Sequence, residues 1–257
     1  MWDKGKRFVV QKILLCLVAF CALLPAIFLL WESVKIGKQF SLSQYETILL
    51  YTKKFFTWFW NSVLNTLIIL AVYLPVSICA GYGFSQFEFR WKKGIFLLYI
   101  IIMILPFQAT VVPQYLTLNT LGLLNTRTAV ILPNIAGAFG PFLMTQFMKG
   151  IEPEILQAAR IDGAGPIRIL MHIVLPLCRP AIASLAILQF INCWSLIDQP
   201  LLFLKSEQLL PLSLELSSRS FGMAAFAAGV LYAIPPILAY LYCKDALEKG
   251  ICLSSVK

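Results

Sequence analysis

Charged residues are scarce in this chain of 257 residues. Asp, Glu, Lys and Arg together make up 13% of the sequence, whereas hydrophobic residues make up 60%. The mean hydropathy of +0.82 is far from the balance of an ordinary soluble domain. A soluble core of this length could not hide so much apolar surface from water. The composition therefore excludes an ordinary soluble domain and indicates an integral membrane protein.

The sequence also lacks the common motifs of catalysis and metal binding. It has no HExxH zinc motif, no GxSxG nucleophile motif and no GxxxxGK[ST] phosphate loop. The seven cysteines show no CxxC spacing, and the single histidine, His172, has no cysteine or carboxylate at ligand spacing. We therefore expect no catalytic site and no cofactor in this chain, and we interpret His172 as a packed or interfacial residue.

Charges are absent from six long stretches of the chain. A helix needs roughly 20 mainly apolar residues to cross the hydrocarbon layer of a bilayer. Six uncharged runs reach about that length, and they are residues 13–31, 55–87, 94–126, 128–148, 180–197 and 220–243. The runs are continuous rather than alternating, which favours helices over a barrel. The sequence predicts an all-α polytopic membrane protein with about six transmembrane helices. The two longest runs, 55–87 and 94–126, could each contain a re-entrant piece, and the second holds two prolines.

Lys and Arg are unevenly distributed between the connections that join these runs. If residue 1 is placed inside, 14 of the 21 basic residues fall in the inside segments 1–12, 85–94, 149–179 and 244–257. Cytoplasmic loops of membrane proteins carry an excess of Lys and Arg. We therefore predict that both termini are cytoplasmic, and we attribute the net charge of +9 to topology rather than to nucleic-acid binding. The first run ends in bulky residues, which favours a helix over a cleaved signal peptide.

A polar segment rich in small residues, "EILQAARIDGAGPIRILMHIVLP" (residues 154–176), lies between two of the apolar runs. Pro153 suits the first turn of a helix, where its missing N–H costs nothing. Helical periodicity then places four residues on one face, which is apolar but flat, and they are Ile155, Ala158, Ala159 and Asp162. A flat face of alanine lets the backbone of a partner approach closely.

The sequence predicts a hard turn after this short helix. Gly163 can adopt the left-handed conformation that ends a helix, and Asp162 can cap exposed N–H groups beyond it. Pro166 can begin a second helix that runs into the membrane. From the residues alone, the segment is either an interfacial amphipathic loop or a docking element.

The stretch "QAARIDGAGPIRILMHIVLPLCRP" resembles the EAA loop of binding-protein-dependent ABC importer permeases, whose pattern is E-A-A-x-x-D-G-A followed by I-x-L-P. The matching positions are Ala158, Ala159, Asp162, Gly163, Ala164, Ile173, Leu175 and Pro176, and Gln157 stands where the family has glutamate. Other stretches, including "WNSVLNTLIILA" and "VVPQYLTLNTLGLLNT", are similar to carbohydrate importers of the maltose and glycerol-phosphate type. The resemblance covers about residues 57–257.

The resemblance implies a type I ABC importer permease fold in a single transmembrane domain over residues 1–257. It implies a coupling loop at about 150–176 and an N-terminal helix, 10–31, peripheral to a core at 57–243. The expected location is the bacterial plasma (inner) membrane, and the expected function is to form half of the pathway for a sugar. The ATPase-coupling residues would be Gln157, Ala158, Ala159, Asp162, Gly163 and Ala164.

The same resemblance implies several partners. They are a second homologous permease, an extracytoplasmic solute-binding protein and a cytoplasmic ABC ATPase dimer that grips the EAA loops. ATP and Mg would bind to that ATPase and not to this chain. No nucleic acid is expected, and the lipid bilayer is the remaining partner.

The fifth uncharged run contains a polar group within an otherwise apolar helix, and its members are Gln189, Asn192, Trp194, Ser195 and Asp198. An aromatic ring beside amides suits the apolar face and hydroxyls of a sugar, so we interpret the group as part of the substrate path. Hydrogen bonding between helices is the alternative. On the first interpretation, alanine at Asn192 or Trp194 lowers uptake without loss of the assembled complex.

Three other functions compete with a sugar permease. They are a permease for a non-sugar solute, a self-sufficient secondary carrier and a polytopic membrane enzyme. A secondary carrier would be supported by an inverted repeat and by charges within the membrane, and neither is found in the sequence. A membrane enzyme is disfavoured because paired catalytic groups are absent.

The predicted topology can be tested by labelling cysteines introduced at Ser41 and Ser254 in intact cells with a membrane-impermeant reagent. Six helices with both termini inside place residue 41 outside and residue 254 inside. We expect labelling at position 41 and none at position 254 until the cells are broken. Labelling of residue 254 from outside would overturn the topology.

Overall fold

The computed structural model describes residues 4–37, 39–218 and 221–255, and it is predominantly helical. The first part consists of α1 (Lys4–Ser33), the hairpin of β1 (Lys35–Ile36) and β2 (Gln39–Phe40), α2 (Ser43–Glu46), α3 (Phe55–Gln86), α4 (Lys92–Ile104) and α5 (Phe107–Thr120). The middle part consists of α6 (Arg127–Ile135), α7 (Phe139–Lys149), α8 (Pro153–Ile161), α9 (Pro166–Ile169) and α10 (Leu175–Leu177). The last part consists of α11 (Arg179–Trp194), α12 (Asp198–Phe203), α13 (Leu212–Ser217) and α14 (Ala225–Ser255).

Short irregular helices complete these elements. Single π-helical turns at Thr47–Tyr51 and Leu170–Val174 follow α2 and α9. Short 3₁₀ turns at Glu207–Leu209 and Gly222–Ala224 lie before α13 and α14. The two strands pair antiparallel, with Lys35 opposite Phe40.

Four helical stretches in the described part of the chain are long and apolar enough to cross a membrane. They are Phe8–Ser33, Phe55–Gln86, Arg127–Lys149 and Ala225–Lys244. Two bent pairs bring the number to six if each pair is one span: α4 with α5, and the Pro166–Leu177 stretch with α11. The predicted six spans are therefore the upper end of what the structure allows by length and composition.

The run at 94–126 is not one straight helix. The axes of α4 and α5 differ by 103°, and the break falls at Leu105 and Pro106. The ring of a proline disfavours helical backbone in the residue before it, and Leu105 accordingly adopts an extended conformation with ψ of 129°. The stretch before α11 is bent from it by 76°.

The chain forms two compact units. One is built from Met1–Thr57 and Glu215–Ile234, and the other from Trp58–Leu214 and Pro235–Lys257. In the first unit, the side-chain amide of Gln44 donates hydrogen bonds to the carbonyls of Glu32 (2.7 Å) and Lys35 (2.8 Å). These bonds fix α2 to the end of α1. The predicted single domain and its boundaries stay predictions.

The core of the larger unit lies where α3 approaches α7. Its buried side chains include Ile69 and Tyr73 of α3, Met144 and Met148 of α7 and Leu185 of α11. Two glycines allow the close approach of α3 and α7. A β-carbon at Gly81 would lie 2.5 Å from Cβ of Met144, and one at Gly140 would collide with Ser77 and Tyr73. Small residues let membrane helices pack this tightly where lipid provides no hydrophobic drive for association.

A buried amide of α3 fixes the connection that precedes α13 in the same unit. Asn61 donates hydrogen bonds to the carbonyls of Gln208 (2.7 Å) and Leu210 (3.0 Å), and it accepts one from Arg127 (2.7 Å). One side chain therefore satisfies two loop carbonyls and orients the start of α6.

The contact between α3 and α7 gives a matched pair of variants in one helix. We expect Gly81→Ala to destabilise the chain by about 1–3 kcal/mol, because Met144 must move to admit the methyl group. Gly83→Ala should be neutral or stabilising, because a β-carbon at Gly83 meets nothing within 4 Å and alanine favours helix. Thermal unfolding of the detergent-solubilised protein measures both. Equal melting temperatures for the two variants would contradict the close contact.

Candidate functional site

Helix α8 begins where the sequence predicts. Pro153 occupies its first turn, Glu154 lies beside the positive end of the helix, and Arg160 lies in the last turn. Each placement is favoured, since proline fits a first turn and acidic and basic groups complement the two ends of the helix dipole. The short helix of the predicted loop is therefore present.

The turn after α8 is a Schellman motif. Gly163 has φ of +75°, the left-handed conformation expected for it. The N–H of Gly163 donates to the carbonyl of Arg160 (3.1 Å), and the N–H of Ala164 donates to the carbonyl of Ala159 (3.0 Å). These two bonds satisfy carbonyls that the helix end would leave unpaired. The chain therefore reverses direction at a fixed point.

The predicted capping role of Asp162 is wrong for the following helix. The residue that precedes α9 is Gly165, and no side chain caps that end of α9. Asp162 is itself the C-terminal flanking residue of α8, where its N–H donates to the carbonyl of Ala158 (3.0 Å). Its side chain is exposed. The left-handed turn directs the chain onward before Asp162 can reach the first N–H groups of α9.

The predicted flat face of α8 is divided between the interior and the surface. Ala159 is only 8% exposed and lies with Leu156 in the core of the larger unit. Ala158 and Gln157 are exposed, and Ile155 is 40% exposed. Ala159 and Leu156 are three residues apart, so one helical stripe carries both toward the core. The prediction that Ala159 faces outward with Ala158 is therefore wrong.

Two exposed isoleucines flank the turn, and the sequence reasoning did not identify them. Ile161 is 86% exposed and Ile167 is 79% exposed. On α8, Ile161 lies on the same ridge as Gln157 and Ala158, which are four and three residues earlier. The signal was available, because two isoleucines in a polar loop fit neither a core stripe nor a solvated surface. The exposed ridge is defined here as Gln157, Ala158 and Ile161, with Ile167 beyond the turn.

The second half of the segment is held to the transmembrane helices. The hydroxyl of Tyr82, near the end of α3, donates to the carbonyl of Pro166 (3.1 Å). Ile169 and Val174 are almost fully buried in the same core as Ala159. The segment therefore continues from an exposed ridge into the packed interior without a flexible linker. His172 remains exposed, and its Nδ1 lies 3.2 Å from the carbonyl of Arg168.

Trp194 does not lie on an open face of the fifth predicted span. Its side chain is 2% exposed, and its ring stacks on Phe190 at 5.7 Å and meets the edge of Phe59 at 6.0 Å. A ring enclosed in this way contributes to packing. The expectation that Trp194→Ala lowers uptake without loss of assembly is therefore corrected, because removing this ring leaves a cavity in the bundle.

The other polar residues of this region have different surroundings. Gln189 is half-buried and its amide donates to Sγ of Cys193 (3.4 Å), and the Ser195 hydroxyl donates to the carbonyl of Ile191 (2.7 Å). Asn192, Ser195 and Asp198 are exposed. The structure therefore brings Asn192 and Ser195, the residue that follows α11, to one exposed stripe at the end of that helix, and it places Asp198 at the start of α12.

The sequence also did not predict that three side-chain amides meet within the helix bundle. Gln199 of α12 donates to Gln114 of α5 (3.2 Å) and accepts from Asn134 of α6, and Asn134 donates to the carbonyl of Val130 (2.7 Å). Gln199 is 5% exposed. Each residue lies in or beside a predominantly apolar run, which was the available signal. The amide trio of Gln114, Asn134 and Gln199 links three helices.

Comparison with known proteins identifies the family. Residues 74–251 match the family described as "Binding-protein-dependent transport system inner membrane component". The matched region includes α8, the turn and the whole of α11. The chain belongs to this family, and it is a permease of the ABC importer type with several membrane-spanning helices.

Individual relatives agree with this assignment. The chain is 33% identical over 208 residues to the arabinooligosaccharides transport system permease protein AraQ of Halalkalibacterium halodurans, covering 79% of this chain and 75% of the relative. It is 30% identical to the lactose transport system permease protein LacG of Rhizobium radiobacter, covering 77% and 74%. It is 30% identical to the sn-glycerol-3-phosphate transport system permease protein UgpE of Agrobacterium fabrum, covering 74% and 70%.

A solved structure confirms the predicted fold. The chain superposes with a TM-score of 0.84 on a chain of a bacterial ABC transporter involved in the import of the acidic polysaccharide alginate. The match covers 96% of this chain and 99% of the other, at 24% sequence identity. The all-α ABC importer permease fold inferred from the sequence is therefore correct.

Trp194 and Asn192 lie close together in α11, but Trp194 is buried and Asn192 is exposed, so their alanine variants should differ in stability. We expect Trp194→Ala to destabilise the chain by roughly 3–5 kcal/mol, because the ring fills space between Phe59 and Phe190. Asn192→Ala should change stability by no more than about 0.5 kcal/mol, because Asn192 is exposed. Thermal unfolding in detergent provides the measurement. A stable Trp194→Ala protein beside an unstable Asn192→Ala protein would reverse the assignment.

Proposed function

We propose that this permease carries a sugar or oligosaccharide, and that it forms half of the solute pathway together with a second, homologous permease. The observation that supports the solute class is the set of relatives, two of which are named for arabinooligosaccharides and lactose. The relatives named for sn-glycerol-3-phosphate make a polyol phosphate the second candidate solute.

The exposed stripe of α11 supports a pathway at an interface between two permeases. Asn192 and Ser195 are exposed in this chain, and α11 belongs to a candidate span. Contact between polar side chains and lipid is energetically costly, so in an assembled membrane protein such side chains face a protein partner or a water-filled cavity. Amides and hydroxyls on such a surface can bind sugar hydroxyls through hydrogen bonds.

We further propose that α8 and its turn couple this permease to a cytoplasmic ABC ATPase dimer. The exposed ridge supports this proposal, because Ile161 and Ile167 present large apolar side chains to the surroundings. Burying such a side chain stabilises a complex by about 1.5–3 kcal/mol. The small side chain of Ala158 leaves the middle of the ridge low enough for the backbone of a partner to approach. ATP and Mg bind to that partner.

The attachment of the segment explains how it would transmit motion. The Schellman turn fixes the angle after α8, and Ile169 and Val174 anchor the continuation in the core. A rigid element of this kind moves together with the bundle to which it is packed. Closure of the ATPase dimer would therefore displace the membrane helices and alternate the access to the pathway.

The permease lies in the plasma (inner) membrane with both termini in the cytoplasm, as the distribution of Lys and Arg predicts. An extracytoplasmic solute-binding protein delivers the solute, as the name of the family suggests. A structural relative, 17% identical, was solved in complex with a periplasmic protein bound to an alginate pentasaccharide.

Coupling to the ATPase can be tested by comparing substitutions at exposed and buried residues of α8. We expect Ala158→Trp and Ile161→Asp to abolish co-purification of the ATPase and solute uptake, while the permease keeps its melting temperature. The reason is that both residues are exposed and lie on the proposed docking ridge. Ala159→Trp should lower the melting temperature instead, because Ala159 is buried in the core. Gln157→Glu should be neutral or mildly favourable, since it restores the residue typical of the EAA pattern.

Uptake and ATPase stimulation in membrane vesicles, measured beside co-purification, separate transport from assembly. Gly163→Asn controls for the turn, because asparagine tolerates the left-handed conformation that a branched residue resists. We expect Gly163→Asn to retain more coupling than Gly163→Val. Wild-type uptake and ATPase binding in both Ala158→Trp and Ile161→Asp would overturn the docking role of α8.

A further inference from the structure

The connection between α3 and α4 carries exposed aromatic side chains. Trp91 is 71% exposed, and Phe87 and Phe89 are 43% and 42% exposed. Trp91 also has φ of 71°, a left-handed conformation that is an outlier for a bulky residue. Cζ of Arg90 lies 5.8 Å from the centroid of the Trp91 ring, so the ring is held outward beside a cation, on backbone that glycine or asparagine would suit better.

Four basic residues surround this connection, and they are Arg90, Lys92, Lys93 and Lys149. Lys92 donates a hydrogen bond to Glu88 (2.8 Å). That bond and the charge of Lys92 lower the pKa of the Glu88 carboxyl, and the charges of Lys93 and Lys149 lower it further. Glu88 pairs with Lys92, and Arg90, Lys93 and Lys149 leave this connection with a net positive charge.

Aromatic packing brings three helix ends to this place. The ring of Phe96 in α4 lies 5.5 Å from Phe84 in α3 and 5.9 Å from Phe142 in α7, and Nζ of Lys149 lies 5.1 Å from its centroid. The end of α3, the start of α4 and the end of α7 thus meet in one cluster. Each belongs to a candidate membrane span, so the cluster lies at a boundary of the hydrocarbon layer.

Lys92 already pairs with Glu88, and a further anion beside Lys92 and Lys93 would be favourable. Lys92 and Lys93 occupy the first turn of α4, where the helix dipole disfavours positive charge. A phosphate close to this turn interacts favourably with both the dipole and the lysines. At a membrane boundary, lipid headgroups supply phosphates, and tryptophan is enriched at the same level.

We propose that residues 87–93 together with Lys149 bind anionic phospholipid headgroups of the cytoplasmic leaflet. The Trp91 indole inserts at headgroup level, and Arg90, Lys93 and Lys149 pair with lipid phosphates. The assignment to this leaflet rests on the proposed topology, which places residues 85–94 inside. The surface would hold the ends of α3, α4 and α7 at a fixed depth while the adjoining α8 segment moves.

The test uses the complete transporter in nanodiscs that contain phosphatidylglycerol and phosphatidylcholine. Native mass spectrometry counts the lipids of each kind that remain bound. We expect the double variant Lys93→Gln/Lys149→Gln to lower phosphatidylglycerol retention roughly tenfold and to leave phosphatidylcholine retention unchanged. Trp91→Gly should also lower phosphatidylglycerol retention, while the melting temperature stays equal or rises, because glycine accepts the positive φ.

Matched variants control for charge and for folding. Lys53→Gln/Lys205→Gln removes two other exposed cations and should leave phosphatidylglycerol retention at the wild-type level. Lys93→Arg/Lys149→Arg keeps both charges and should retain the lipid. The proposal is overturned if Lys93→Gln/Lys149→Gln and Trp91→Gly retain phosphatidylglycerol normally, or if the Lys53/Lys205 control loses it equally. Release of the ATPase in place of the lipid would overturn it too, because the patch would then be a protein contact.

The proposed function is tested separately in the same preparation. Absence of an ATPase from the unaltered transporter would contradict the coupling role of α8, and it would leave the lipid measurement valid. Labelling of a cysteine at Gly94 from outside intact cells would overturn the assignment to the cytoplasmic leaflet.

Discussion

The approach of α3 to α7 is the contact on which the rest of the larger unit depends. In a bilayer, apolar side chains gain little by leaving lipid for protein, so helices associate through close packing and hydrogen bonds. Gly81 and Gly140 supply that closeness, and they do so where Met144, Ser77 and Tyr73 leave no space for a β-carbon. The residues that seat α8, namely Leu156 and Ala159, belong to the same core. The position of α8 is therefore set by how near two membrane helices can come.

This arrangement divides α8 into a side that belongs to the permease and a side that is available to a partner. Leu156 and Ala159 are buried, whereas Ala158 and Ile161 are exposed. The Schellman turn and the buried Ile169 then connect that helix to α11 through a continuous packed path. Two adjacent alanines thus serve two purposes. Ala159 lets the helix pack close to the core of the permease, and Ala158 keeps the exposed ridge low.

The sequence was sufficient to predict where α8 begins and ends. Pro153 begins α8, and Gly163 ends it in the left-handed conformation, because both preferences act within a few residues. The direction in which a side chain points could not be obtained in this way. Ala158 and Ala159 are equivalent in the pattern, and only the packing of α8 against the core distinguishes them.

In the transmembrane part, too, the sequence does not show which side chains point inward or which distant residues meet. Trp194 was grouped with polar neighbours by sequence, although residues two positions apart on a helix face different directions. The proline at position 106 is a local signal for the break at Leu105, but the angle of 103° between α4 and α5 required the fold. Gln114, Asn134 and Gln199 lie far apart in the chain, so their association required the fold.

The amide trio also affects how easily these helices can rearrange. A side-chain amide both donates and accepts, so the three residues satisfy one another where α5, α6 and α12 meet, without a buried charge. An ion pair at the same place would have to be separated as two charges in a medium of low polarity, which is far more costly. Hydrogen bonds between membrane helices contribute only about 0.6–2 kcal/mol each. Such a junction is specific enough to keep three helices in register, and its hydrogen bonds cost far less to break than a buried ion pair would.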